Sequence, residues 1–148
     1  MKILLEISEK FTEPEIHICN SQKNEEVIKL RNTLDELLDE KITVYQKQEM
    51  QKVAGYDIVR IFSENKKVYL RTGEELFEVR DRLYSLEETF SKKGFVRISN
   101  SEIVNIRKIL KLDMSHAGTI KMHMKNGDTT FVSRRYVSRI KELLTKEL

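Results

Sequence analysis

The sequence predicts an α+β protein, mostly β. An N-terminal β-β-α-β unit is followed by an antiparallel β domain with short helices and a C-terminal helix. Three observations lead there. From about residue 57 onward, apolar residues come in short runs that alternate with polar ones, the period of a half-buried strand. Two stretches, 24–40 and 134–147, instead space their apolar residues as a helix does. Between them Asn126-Gly127 is a strong signal for a two-residue hairpin turn. The 148 residues suffice for one ordinary domain or two small ones.

In chain order, "KILLEISEKF" at the N-terminus reads as a strand, and the single proline, Pro14, falls in the break after it. "EIHICN" (15–20) reads as a second strand, which makes Cys19 a buried or half-buried structural thiol. Being the only cysteine, Cys19 has no internal disulfide partner, as suits a reducing cytoplasm. A helix over 24–40 carries Val27, Leu30, Leu34, Leu37 and Leu38 on one face, with Ser21 or Asn20 as its cap. Glu25 and Glu26 in its first turn suit the positive end of the dipole. "KITVYQ" (41–46) is a strand, and 47–57 reads as a polar connection. The first 49 residues are thus expected to form one region and 50–148 another.

Beyond the connection, 57–65 and 66–73 form a hairpin turning near Asn65-Lys66, and 74–79 is a third strand. A short helix over 80–90 places Leu83, Leu86 and Phe90 on one face. Two strands in 94–109 flank a polar break, and 119–125 and 128–133 form the Asn-Gly hairpin. In "TIKMHMK", Ile120, Met122 and Met124 face a core while Lys121, His123 and Lys125 form an outward basic stripe. The last helix is capped by Ser133 and turns Tyr136, Val137, Ile140, Leu143 and Leu144 inward.

Charge divides the chain. Residues 1–49 hold 7 Lys/Arg against 11 Asp/Glu, and residues 50–148 hold 20 against 13. A basic module beside an acidic one suggests that the larger part binds a polyanion. The chemistry of catalysis is missing from the pattern. The five glycines are scattered at turns, so none forms a phosphate-cradling loop. His17, His116 and His123 have no metal spacing with Cys19 or with carboxylates. No Gly-x-Ser-x-Gly elbow is present. Acidic pairs such as Glu74-Glu75 and Glu87-Glu88 are adjacent, and adjacent side chains diverge on a strand or a helix. The chain is therefore expected not to be an enzyme, and to need no cofactor, metal or small-molecule substrate. It has no run of ~18 apolar residues and no secretory signal, so a cytoplasmic location is expected.

The stretch "GFVRISNSEIVNIRKI" (94–109), followed by "GDTTFVSRRYVSRIKELL", resembles the LytTR DNA-binding domain of bacterial transcriptional regulators. The matching elements are Phe95, Arg97, Ser99-Asn100-Ser101, Val104-Asn105, Ile109, Gly127 and Ser133-Arg134-Arg135, over about residues 50–148. The resemblance implies antiparallel sheets whose edge loops, rather than a recognition helix, enter the DNA major groove. It also implies three contact regions. These are the hairpin turn at Asn65, Lys66 and Lys67; the polar loop of Arg97, Ser99, Asn100 and Ser101; and the helix entry at Arg134 and Arg135. The whole chain is similar to compact members of that family that lack a receiver domain. Those carry a short N-terminal region and are often restrained by a small membrane protein, which makes residues 1–49 a candidate regulatory contact. Pairing of two copies on repeated sites is a further expectation.

The chemistry of these side chains agrees with the resemblance. Arginine can bond guanine O6 and N7 together, and asparagine adenine N6 and N7. Serine and lysine suit phosphates, as do the free N–H groups of a helix N-terminus. Asn100 and Arg135 are thus expected to read bases, and Lys66 to touch a base or a phosphate. Arg97, Ser101 and Arg134 are expected mainly on phosphates. Arg97 has a second reading, an ion pair with Glu102, and Asn100 has one as a turn residue bonded to its own loop. Asn105, inside a strand, is read as structural. The expected function is sequence-specific binding of double-stranded DNA in transcriptional regulation. The alternatives are a protein-interaction adaptor and an RNA-binding module, the latter weakened by the shortage of aromatics for base stacking.

Overall fold

The computed structural model describes residues 1–147. The chain divides into two units, Met1–Leu38 and a larger one that begins at Asp39.

The smaller unit contains one helix, α1 (Glu25–Leu38). Its cap is Asn24, whose Oδ1 accepts from the Val27 N–H at 2.9 Å, rather than Ser21 or Asn20. Residues 1–23, expected to hold two strands, hold none. Ile3, Leu5 and Ile7 keep their alternation but are exposed, and so is Cys19, which is not the buried thiol expected of a strand. A strand needs a neighbour to satisfy its backbone, and among the described residues none pairs with this segment. The first strand of the chain, β1 (Lys41–Gln46), is paired on both sides within the larger unit.

β1 pairs along its whole length with β2 (Glu49–Ala54) and also meets β5 (Leu76–Val79). It therefore belongs to the larger unit. β2 lies where the sequence suggested only a polar connection. It is the outer edge of the sheet, and of its six residues only Val53 is buried, so no alternation marks it. β3 (Arg60–Glu64) and β4 (Lys67–Arg71) form the expected hairpin, and Asn65 and Lys66 take φ of 51° and 65° as a two-residue turn requires. After α2 (Leu83–Phe90) come β6 (Phe95–Ser99) and β7 (Glu102–Asn105), completing a seven-stranded antiparallel sheet in the order β2-β1-β5-β4-β3-β7-β6. β8 (Ile109–Asp113), β9 (Ile120–Met124) and β10 (Thr129–Val132) form a second sheet, and the chain ends in α3 (Val137–Glu147).

Two apolar clusters hold this unit together, and they meet at β6 and β7. Phe95 and Ile103 pack on one face of that strand pair, with Leu86 and Phe90 of α2. Val96, Ile98 and Val104 pack on the other, with Ile120, Met122 and Met124 of β9 and with Ile140 and Leu144 of α3. Because β7 lies between β3 and β6 and is covered on both faces, all four of its residues are buried. Burying that much apolar side chain is worth about 1.5–3 kcal/mol for each large residue. This double cover fixes the end of the polar loop that joins β6 to β7.

Candidate nucleic-acid interface

Three hydrogen bonds bring the three expected contact regions to one edge of the larger unit. The Ser63 N–H at the end of β3 donates to the Ser101 carbonyl at 2.8 Å, joining the β3–β4 turn to the β6–β7 turn. The Ser133 N–H donates to the Ile98 carbonyl at 2.9 Å, joining the entry of the last helix to β6. The Tyr136 hydroxyl donates to Asn100 Oδ1 at 3.3 Å, joining the same two regions through side chains.

Each region is held from within as well. In the β6–β7 turn the Ser101 N–H donates to Ser99 Oγ at 3.2 Å, and the two serine hydroxyls lie 3.4 Å apart. Serine, not Asn100, is thus the side chain that bonds back to its own turn. Asn100 is exposed, and its carbonyl is turned to Tyr136. In the β3–β4 turn Asn65 and Lys66 are exposed at the tip. Lys67 opens β4, where its ammonium lies 3.8 Å from Glu78, an exposed pair of small energetic weight. Ahead of α3, a single 3-10 turn over Arg134–Tyr136 puts Arg134 and Arg135 on the surface. Ser133 stands at the cap position, but its side chain makes no capping bond. Arg134 crosses the turn at Gly118: a Cβ built there would lie 3.1 Å from Arg134 Nε, at a φ of 71° that suits glycine.

Arg97 is placed differently from its neighbours. Its side chain is only 15% exposed, and its Nε lies 3.0 Å from Glu87 of α2. One terminal nitrogen, Nη1, is buried without a hydrogen-bond partner. The carboxylate that sequence proximity suggested, Glu102, pairs instead with Arg60 at 3.3 Å. Asn105 has the structural role expected of it. Fully buried, it donates to the Ile58 carbonyl at 2.8 Å and accepts from the Arg107 N–H at 3.1 Å.

Behind the exposed edge, charged groups tie the two sheets together. Arg60 of β3 and Arg71 of β4 both reach Asp128, in the turn before β10, at 3.2 and 3.1 Å. Asn126 of the same turn donates to the Gly73 carbonyl at 3.2 Å. Burial opposes ionisation of Asp128, but the hydrogen bonds from Arg71 and Arg60 outweigh it and hold the carboxyl below the usual range. For Glu102 the balance is opposite. Burial pushes its carboxyl up, the Arg60 charge only partly offsets this, and Oε2 has no partner. Sequence reasoning missed this network, because its members lie up to 68 residues apart. The basic stripe on β9 is as expected, with Ile120, Met122 and Met124 inward and Lys121, His123 and Lys125 outward.

The edge is a ridge of exposed donors rather than an enclosed cavity. Lysine, arginine, asparagine and serine side chains project from turns that are tied to one another and backed by packed core. Among the described residues no group of three or more His, Cys, Asp or Glu side chains has a metal-holding arrangement.

Comparison with known proteins agrees with that geometry. The family model described as the LytTr DNA-binding domain matches residues 48–145. An uncharacterized HTH-type transcriptional regulator of Staphylococcus aureus strain MSSA476 is 36% identical over 147 residues, covering 98% of this chain and 99% of that protein. A protein of the same description in strain COL is 35% identical over the same length. A solved LytTr DNA-binding domain from Bacillus cereus superposes with a TM-score of 0.67 at 25% identity, over 70% of this chain and 95% of that one. Among the described residues no two helices are joined by a short turn, so the helix-turn-helix of those descriptions has no counterpart in this fold.

Proposed function

Because the chain belongs to the LytTR family of DNA-binding domains, we propose that it is a transcriptional regulator that reads a specific duplex sequence through its loops in the major groove. The observation that carries this reading is the tying of three polar turns into one edge by the Ser63–Ser101, Ser133–Ile98 and Tyr136–Asn100 bonds. Asn100 and Arg135 are the base readers. Lys66, Lys67, Ser99, Ser101 and Arg134 contact phosphates or flank the readers, with Lys66 also in reach of a base edge. Arg97, anchored to Glu87, supports the loop from behind and makes at most a single phosphate contact. The protein acts without catalysis and in the cytoplasm. No described helix is long and apolar enough to cross a membrane.

Regulation falls to the N-terminal part. The exposed Ile3, Leu5, Ile7, Leu37 and Leu38 in a unit of 38 residues supply a surface for a protein contact, either a second copy or a restraining membrane protein. The regulatory segment is then 1–38, since β1 is part of the larger sheet.

The test is selection of binding sites from random duplexes with the purified protein at physiological salt. One enriched motif, bound with an affinity that falls steeply as salt rises, is the expected result. Recovery of no motif would remove the reading, and capture of a protein or single-stranded RNA in its place would favour an adaptor or an RNA-binding module.

A further inference from the structure

Asn100 stands exposed at the tip of its turn beside Ser101, and a free asparagine amide can rotate by half a turn, exchanging its donor and acceptor ends. Adenine presents N7 as an acceptor and N6 as a donor, so a bidentate contact needs the amide in one of those two orientations. The side chain that holds this amide is Tyr136. Its hydroxyl lies 3.3 Å from Asn100 Oδ1. The ring is half-buried against the cluster that contains Ile98, Ile140 and Leu144, so the hydroxyl cannot move far. The backbone around it is fixed too, with the Tyr136 N–H donating to the Ser133 carbonyl at 2.9 Å and the Ser133 N–H to Ile98 at 2.9 Å. The turn itself is braced by Ser99 and Ser101, which leaves the Asn100 side chain as the one part of the loop still to be oriented.

We infer that Tyr136 is a positioning residue for base reading, holding the Asn100 amide with Oδ1 toward the helix entry and both Nδ2 protons outward. An asparagine oxygen has a second lone pair. The oriented amide therefore offers Nδ2 to a purine N7 and keeps that lone pair for an adenine N6 proton. Ordering the side chain before binding removes one rotamer cost from the encounter. The same bond couples the loop to Arg135, the residue next to Tyr136, so two expected base readers share one rigid mount.

This inference rests on the DNA-reading function proposed above, and the experiment separates the two. Binding-site selection and affinity measurement are run on the intact protein, Tyr136→Phe, Asn100→Ala and the double variant. Tyr136→Phe keeps the ring and its packing and removes only the hydroxyl. It is expected to lose roughly threefold to tenfold on the preferred site, the size of one hydrogen bond. The loss should confine itself to one base-pair position, the same one relaxed by Asn100→Ala. Melting temperature and the salt dependence of non-specific binding should not change. The double variant should bind as Asn100→Ala does. Several results would overturn the inference while leaving the function standing. These are an equal loss on all sequences, relaxation at a different base pair, full additivity of the two changes, or no effect of Tyr136→Phe on a protein that still selects a motif. If the intact protein selects no motif, both fall together.

Discussion

Asp128 Oδ2 lies 3.2 Å from Arg60 Nε, joining the turn before β10 to the middle of the larger sheet. Arg71 closes on the same oxygen from the next strand at 3.1 Å. The smaller sheet, and with it the 3-10 turn bearing Arg134 and Arg135, is thereby held in register with the β3–β4 hairpin. Replacing Asp128 by asparagine removes the charge that both guanidinium groups share. The expected loss is about 1–3 kcal/mol at neutral pH, read from denaturant unfolding. An unchanged midpoint would mean that the shared charge adds nothing to the tie between the sheets.

The two carboxylates beside Arg60 impose opposite pH dependences. Asp128, held below its usual range, contributes stability above about pH 3.8 that is lost as pH falls through its folded value. Glu102, pushed up from about 4.5, binds more protons folded than unfolded, so its ionisation lowers stability as pH rises through the folded value. Glu102→Gln should flatten that decline and leave the protein at least as stable at pH 7. A variant that is markedly less stable at pH 7 would show that the Arg60 pair outweighs the cost of burying the charge.

Lys66 occupies a backbone conformation that non-glycine residues avoid, at φ 65°. The expected two-residue Asn126-Gly127 turn is instead a longer connection between β9 and β10, in which the Gly127 N–H donates to the Met124 carbonyl at 3.0 Å and the left-handed position, φ 96°, falls to glycine. Lys66→Gly is expected to stabilise the protein by about 1 kcal/mol, by relieving the left-handed strain. The same change should weaken DNA binding and reduce the slope of log affinity against log salt by about 1 if the lysine meets a phosphate. A slope that does not move, with a changed preference at one base pair, would assign Lys66 to a base instead.

Asn105→Ala should cost about 2–3 kcal/mol, since it strands the Ile58 carbonyl and the Arg107 N–H in a buried place. Thermal unfolding measures it, and a loss under 1 kcal/mol would indicate that water replaces the amide.

Truncation distinguishes two boundaries. A chain beginning at Asp39 retains β1 and should fold and bind DNA. A chain beginning at residue 50 loses Ile42 and Val44 from the core and leaves β5 with an open edge. The second fragment should aggregate or unfold at temperatures where the first does not. Equal stability of the two would make β1 dispensable.

These elements also show what the sequence could disclose. The β9 alternation, the Asn65-Lys66 turn and the helix faces of α2 and α3 were legible because each is decided by neighbours within a few residues. The strands expected within residues 1–23 failed for the converse reason. Alternation is local but pairing is not, and among the described residues no strand pairs with that segment. β2 escaped because an exposed edge strand needs no apolar face. At the interface, the residue types and their loops were readable, but the partners were not. Tyr136 resembled any other apolar-face residue until its hydroxyl met Asn100, 36 positions away. For Arg97, expected mainly on a phosphate, the ion-pair alternative that sequence offers is Glu102, five residues on, whereas the fold gives it Glu87 on a packed helix.

Cys19 is the chain's single thiol, and it is exposed on the smaller unit. Maleimide or a nitroxide reagent will therefore attach at one known position without any engineering of the sequence. The label therefore reports on the N-terminal unit. Fluorescence anisotropy or spin-label spectra of that one site, with and without duplex, can follow how the N-terminal unit responds when DNA is added.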